Sequence, residues 1–234
     1  MSFNPKKQLS EFLDEDVGKG DITSQLLSKK KITVKIISRE NALVAGTKYA
    51  KEIFAIKGCK AKIISKDGTK IKPNQKIIEI TGNADKILTC ERTALNILTR
   101  MSGIATQTNE LVKKIPKKTK LYATRKTAPG LRYFDKEAVK IGGGEKHRLR
   151  LDEMVMIKDN HIAAEQSLLS LINKTKKKYR KFEVEVENTN DAVLAAEKGA
   201  TIIMLDNFSP IQIIKTVKVL KLSLIHISEP TRRS

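Results

Sequence analysis

Lys31 to Ser38 alternates Ile32, Val34 and Ile36 with polar neighbours, a period of two that predicts a half-buried strand. A second strand, Ala42 to Ala45, leads through Gly46 into a helix from Lys48 to Lys57. Two short strands follow, Ala61 to Ser65 and Lys76 to Ile80, the last preceded by the turn Lys72-Pro73-Asn74-Gln75. Upstream, residues 5–16 place Leu9, Phe12 and Leu13 on one side of a helix that Gly18 and Gly20 break. Asp21 or Thr23 is expected to cap a short turn at Gln25 to Leu27. Asn83 is expected to cap a long helix reaching about Met101, with a second helix, Ala105 to Lys114, beyond a break at Ser102-Gly103. Ile87, Leu88, Ala94, Leu95, Ile97 and Leu98 cover so much of the long helix that it must lie between two layers.

After Pro116 the pattern becomes strand followed by helix, repeated. Strands are predicted at Leu121–Thr124, Met154–Lys158, Phe182–Val186 and Thr201–Leu205. Helices are predicted at Asp135–Ile141, Ala163–Lys177, Thr189–Lys198 and Pro210–Leu220, the last with proline at its first position. Repeated β-α units imply right-handed crossovers and a parallel sheet. No dinucleotide-type glycine fingerprint follows the first of these strands, which favours a β/α barrel over an open sheet. The fold class is α/β, with a small N-terminal α/β sandwich over residues 1–110, long linking helix included, and a barrel domain over 111–221.

Aromatic residues make up 4% of the chain and Trp is absent, so the core is aliphatic, as suits strands buried on both faces. The net charge of +20 raises nucleic acid as a partner. The lysines are spread, however, as in the runs at 29–31, 113–114 and 176–178, with no aromatics interleaved to stack bases. Neither nucleic acid nor a membrane is therefore expected as a partner. Cys59 and Cys90 lack metal-ligand spacing, and Met1 is followed by polar residues rather than an apolar leader, so a cytoplasmic setting is expected. Residues 222–234 break the lysine-rich style of the preceding helix. The stretch LSLIHISEPTR resembles a translated sequencing adapter, so His226 is set aside and natural sequence is expected to stop near Lys221.

Candidate chemistry gathers at the ends of the predicted barrel strands, where β/α barrels hold their active sites. Thr124 to His161 carries Arg125, Lys126, Arg132, His147, Arg148 and Lys158 around Gly142-Gly143-Gly144. In FEVEVE the side chains alternate, so Glu183, Glu185 and Glu187 share the face opposite Phe182, Val184 and Val186. Carboxylates facing a barrel interior need a partner or a metal. Asp206 ends the next strand. No His-Asp pattern accompanies Ser102 or Ser209, no G-x-S-x-G turn exists, and no Cys cluster joins His147 and His161, which argues against a serine nucleophile and against zinc. Cations around Glu185 and Asp206 fit a phosphorylated or carboxylated small molecule, with Mg²⁺ held by these two carboxylates and partly through substrate oxygens.

These motifs resemble those of the quinolinate phosphoribosyltransferases. The resemblance runs through GDIT (Gly20–Thr23), ERTALNILTRMSGIAT (Glu91–Thr106), TRKTAPGLR, GGGEKHR, IKDNH, VEVEN and LDNF (Leu205–Phe208). It implies a small sandwich followed by an incomplete β/α barrel, in a homodimer with shared active sites. It implies quinolinate and phosphoribosyl pyrophosphate as substrates, Mg²⁺ as cofactor, and nicotinate mononucleotide, pyrophosphate and CO₂ as products, on the de novo route to NAD. By motif, Arg125, His147, Arg148 and Lys158 line the quinolinate pocket, and Lys126 lies on the sugar-phosphate side. Arg92 reaches into the partner's site, while Glu185 and Asp206 face ribose and metal. Lys126, Lys158, Glu185 and Asp206 are the catalytic candidates. Lys146 stands where many members have Asn. No Ser-Gly-Gly or Gly-Ala-Leu segment of the family's later strands occurs, so weak hold on the 5′-phosphate, little turnover and an exposed edge at Thr201–Leu205 are expected. The alternatives are a molybdenum-uptake pyrophosphorylase-like paralogue, a basic nucleic-acid-binding protein, and a metabolite-binding protein without catalysis.

Overall fold

Asn4 opens the first helix, α1 (Pro5–Val17), its Oδ1 accepting from the Lys6 N–H at 3.1 Å and leaving Leu9 and Leu13 on the buried side. The structure is a computed structural model that describes residues 3–220 and the backbone of 226–227. It divides into two compact units, Met1–His147 and Arg148–Ser234.

In the first unit the alternating apolar run forms β1 (Lys31–Ile37), with burial alternating residue by residue. β2 (Ala42–Leu43) and α2 (Thr47–Ile56) follow, then β3 (Lys60–Ile63), β4 (Lys70–Ile71) and β5 (Lys76–Asn83). The strands pair as an antiparallel β1-β5-β3 sheet and a β2-β4 ribbon. Gly46, with φ of 95°, starts α2 in a conformation that L side chains rarely adopt. A Cβ there would also meet the Met101 Sδ at 2.8 Å.

β5 runs straight into α3 (Ala84–Lys114). Asn83 holds the N-cap position as expected, but its side chain makes no capping bond; the Ala84 N–H instead reaches the Lys30 carbonyl at 3.0 Å. The predicted break at Ser102-Gly103 does not occur. Ser102 Oγ accepts from Ala45 N–H (3.0 Å) and donates to Ala45 O (3.2 Å), while Thr106 Oγ1 accepts from Leu43 N–H (2.8 Å). Fully buried Met101 and Ala105 flank the glycine. This docking outweighs the roughly 1 kcal/mol helix penalty of one glycine. α4 (Arg132–Ile141) packs its Phe134 and Ala138 into the same core.

The strand predicted at Leu121–Thr124 is reduced to one parallel bridge, Tyr122 to Glu145. Glu145 N–H donates to Leu121 O at 2.7 Å, and Ala123 N–H to Glu145 O at 2.8 Å. Residues on either side of the bridge belong to a loop and a glycine turn, so no ladder extends.

The second unit realises the β/α repetition. β6 (Val155–Ile157), α5 (Asp159–Glu165), α6 (Leu168–Lys176), β7 (Phe182–Val186), α7 (Thr189–Glu197), β8 (Ile202–Leu205), α8 (Pro210–Leu220) and β9 (His226–Ile227) follow in order. The strands form one parallel sheet, β6-β7-β8-β9. The single helix predicted over 163–177 is two. Gln166 turns left-handed (φ 59°), and Ser167 Oγ accepts from the Ser170 N–H at 3.1 Å to cap a new helix. The edge expected at Thr201–Leu205 is also corrected, since Met204 and Leu205 pair with His226 and Ile227. Apart from that backbone pair, the adapter-like tail lies outside the described residues. Ile157, Ile172, Phe182, Val184, Val186 and Leu205 are among the residues of the core beneath the sheet.

Candidate active site

The Tyr122–Glu145 bridge sets two segments of the first unit side by side, and each carries candidate residues just beyond it. On one, Arg125 is half-buried, with its Nε buried and without a hydrogen-bond partner among the described residues. Exposed Lys126 follows, its N–H bonded to Thr124 Oγ1 at 3.1 Å. On the other, His147 takes a left-handed conformation (φ 48°) and meets Tyr122 edge-on, ring centroids 6.4 Å apart. Arg92 is exposed on α3, and among the described residues no hydrogen bond ties it to Arg125 or Lys126. Arg132, at the start of α4, bonds Thr127 Oγ1 through its Nε at 3.2 Å and so serves the loop.

Sequence reasoning passed over the side chains behind these segments. Lys136, on α4, is fully buried, and its Nζ donates to the carbonyl of Ala123 at 3.0 Å and to that of Lys146. Lys146 itself pairs with Glu137. Arg100 on α3 grips Asp135 through Nε and Nη2, at 2.7 and 2.9 Å. That grip raises the Arg100 pKa above its ordinary value. The signal that could have found these residues is the tandem Asp135-Lys136-Glu137 on a helix whose flanking Phe134 and Ala138 are both core.

In the second unit the strand ends converge. β7 is central and buried at all five positions, so this run of alternating glutamates is not a solvated edge strand. Glu183 is fully buried and Glu185 is 9% exposed. Because Ile157 pairs with Val184, Lys158 comes level with Glu185, and its Nζ lies 2.5 Å from Glu185 Oε2. The backbone of Lys158 is fixed in turn, as its N–H donates to His161 Nδ1 at 3.0 Å. Asp206 N–H bonds Val186 O at 3.0 Å, which sets Asp206 beside the end of β7. Asn207, left-handed at φ 60°, donates from Nδ2 to Glu187 Oε1 at 3.0 Å and to Asp206 Oδ2 at 3.3 Å. Arg148, 8% exposed, donates to Met154 O at 2.9 Å and contacts Met156 Sδ at 3.1 Å.

Apart from Arg92 on α3, the candidates therefore stand in loops or along and at the ends of strands, and the structure joins Lys158 to Glu185 directly. No group of three or more His, Cys, Asp or Glu that could hold a metal occurs among the described residues. Glu185 and Asp206 are hard oxygen donors, one of them already engaged by an ammonium group. Such a pair fits an ion carried largely by substrate oxygens and water rather than a protein cage. No helix among the described residues is long and apolar enough to cross a membrane.

Both halves of the chain match one family of known proteins. Residues 21–102 match the quinolinate phosphoribosyl transferase N-terminal domain, and residues 104–228 match the C-terminal domain. The chain is 42% identical over 205 residues to a probable nicotinate-nucleotide pyrophosphorylase [carboxylating] of Archaeoglobus fulgidus, covering 86% of this chain and 79% of that protein. It is 35% identical over 249 residues to the nicotinate-nucleotide pyrophosphorylase [carboxylating] of Dictyostelium discoideum, covering 97% and 82%. The solved nicotinate-nucleotide pyrophosphorylase from Francisella tularensis superposes with a TM-score of 0.88 at 36% identity, over 97% of this chain and 84% of that one. Neither a molybdenum-uptake paralogue nor a nucleic-acid-binding protein draws support from these matches. The chain belongs to the quinolinate phosphoribosyltransferase family.

Proposed function

We propose that the protein transfers the phosphoribosyl group of phosphoribosyl pyrophosphate to quinolinate with loss of CO₂, giving nicotinate mononucleotide and pyrophosphate for NAD biosynthesis. The carrying observation is the Lys158–Glu185 pair at the parallel strand ends, inside a chain that matches both family domains in order. Quinolinate has two ring carboxylates, and guanidinium groups such as Arg125 and Arg148 suit them through paired N–H donors. His147 and Lys158 complete the cationic set, and Lys126 serves the sugar-phosphate side. Positive charge developing on the ribose as pyrophosphate departs is met by Glu185 and Asp206. Cationic groups around the ring nitrogen stabilise the carbanion-like carbon left when CO₂ departs. Mg²⁺, held by Glu185 and Asp206 together with substrate oxygens, would neutralise pyrophosphate charge. The working form is a cytoplasmic homodimer in which Arg92 serves the partner's site.

Calorimetric titration tests the reading, with quinolinate compared against nicotinate, which lacks one carboxylate. Quinolinate is expected to bind at least about tenfold more tightly, since a buried cation left without its carboxylate is costly. Equal affinity, or no binding of quinolinate, overturns the assignment. Pyrophosphate release is measured separately, because it reports the transfer step rather than binding of the dicarboxylate. Release is expected to depend on quinolinate, and release that proceeds equally without quinolinate would refute the transfer.

A further inference from the structure

Lys136 is the only lysine among the described residues that is buried, and its exposure is 0%. A buried ammonium is costly unless polar groups surround it. Two of its partners are main-chain carbonyls, Ala123 O at 3.0 Å and Lys146 O. They lie on the two segments joined by the Tyr122–Glu145 bridge. Ala123 leads directly into Thr124-Arg125-Lys126, and Lys146 directly into His147.

A single bridge is a weak tie between two irregular segments, and Lys136 supplies a second one from behind. α4 is itself braced by the buried Asp135, which Arg100 of α3 holds through two hydrogen bonds. An apolar side chain of the same length would fill the space and leave both carbonyls without this donor. Lysine combines the reach of four methylenes with three N–H donors, which lets one side chain serve two loops. Its placement on a rigid helix rather than a loop makes it a fixed reference for both.

We infer that Lys136 is a positioning residue, a buried clamp that sets the separation and direction of the segments bearing Arg125, Lys126 and His147. Its consequence for substrate rests on the quinolinate reading above, whereas the clamp itself does not.

The test compares the parent protein with Lys136→Met, which keeps the volume and removes the charge, and with Met101→Ala, a cavity variant in the same core. Hydrogen exchange is followed by mass spectrometry, and quinolinate affinity by calorimetry. In Lys136→Met, exchange over residues 121–126 and 145–147 is expected to quicken at least tenfold while β1 and β5 keep their protection. Quinolinate affinity is expected to fall at least tenfold. Met101→Ala is expected to lower the melting temperature yet leave affinity within twofold and the two segments protected. Unchanged protection in the two segments of Lys136→Met, or a uniform rise across the first unit, overturns the clamp. If the parent protein itself fails to bind quinolinate, the substrate reading falls, and the exchange data still decide the role of Lys136. Lys136→Met with loosened segments but parental quinolinate affinity refutes positioning of the substrate cations.

Discussion

Glu185 and Lys136 carry opposite charges into buried positions, and only one of them was legible in the sequence. Period-two alternation in a strand assigns Glu185 to an inward face, and the strand-end rule then singles out Lys158 and Asp206. Only the charged triplet Asp135-Lys136-Glu137 between core positions hints at Lys136, because its partners are main-chain carbonyls brought together by loops that no local pattern encodes. Cys90 shows the same dependence on surroundings and gives a measurable consequence. Its side chain is fully buried, and burial pushes the thiol up from 9.0 to about 12. The folded chain thus keeps the proton at pH values where the unfolded chain has lost it. The stability this contributes is complete below about pH 9 and drains away as the pH rises toward 12. By pH 10.5 the loss should reach roughly 2 kcal/mol, taking about 1.4 kcal/mol per pH unit above the unfolded value. Urea unfolding at pH 8 and pH 10.5 reads it as a difference of slopes. The parent should lose about that much more than Cys90→Ala, in which the cavity cost is common to both pH values and cancels. Identical losses in the two proteins would show that the thiol does not titrate late.

At the scale of elements, periodicity placed helices and strands correctly wherever a single apolar face was enough to define them. β1, β7 and α8 are examples. It failed where a local signal and a tertiary contact disagree. Ser102-Gly103 reads as a helix stop, yet Ser102 is spent on Ala45 and the helix continues through to Lys114. Leu121–Thr124 reads as a strand, yet its neighbour is a glycine turn and only one bridge forms. Gln166 gave no warning of a left-handed turn, whereas Ser167 was a readable cap beside it. The uninterrupted α3 makes a prediction that a broken helix would reverse. Gly103 is exposed, carries no positive φ, and an added Cβ would meet nothing within 4 Å. Gly103→Ala should therefore stabilise the protein by about 0.5–1 kcal/mol, through helix propensity and a less flexible unfolded chain. Chemical denaturation would show a higher midpoint at unchanged slope. A lower midpoint would mean that the chain needs the freedom of glycine at that position.

The whole molecule carries a formal net charge of +20 on 234 residues, because 46 Lys and Arg stand against 26 Asp and Glu. Most lysines stand singly along the sequence, so their mutual repulsion is long-ranged and weak for any one pair. Such repulsion favours expansion and is sensitive to salt, since the screening length falls from about 30 Å at 0.01 M to about 10 Å at 0.1 M. Buried pairs behave differently. Asp135 with Arg100 and Glu185 with Lys158 are short and shielded from solvent on the carboxylate side, so added salt weakens them little. Raising NaCl from 10 to 150 mM at pH 7 should accordingly increase stability by about 1 kcal/mol, an upward shift of roughly 2–4 °C in melting temperature. A falling melting temperature would show instead that exposed attractive pairs such as Lys6–Glu52 and Lys120–Glu145 outweigh the excess of lysine. Repeating the titration with sodium phosphate at matched ionic strength separates diffuse from localised charge. Screening alone gives equal shifts in both salts. A larger shift in phosphate that saturates with concentration fits anions held at particular cations, as proposed for Arg125, Lys126, His147, Arg148 and Lys158, whereas one that keeps rising reflects the general exclusion of phosphate from the protein surface.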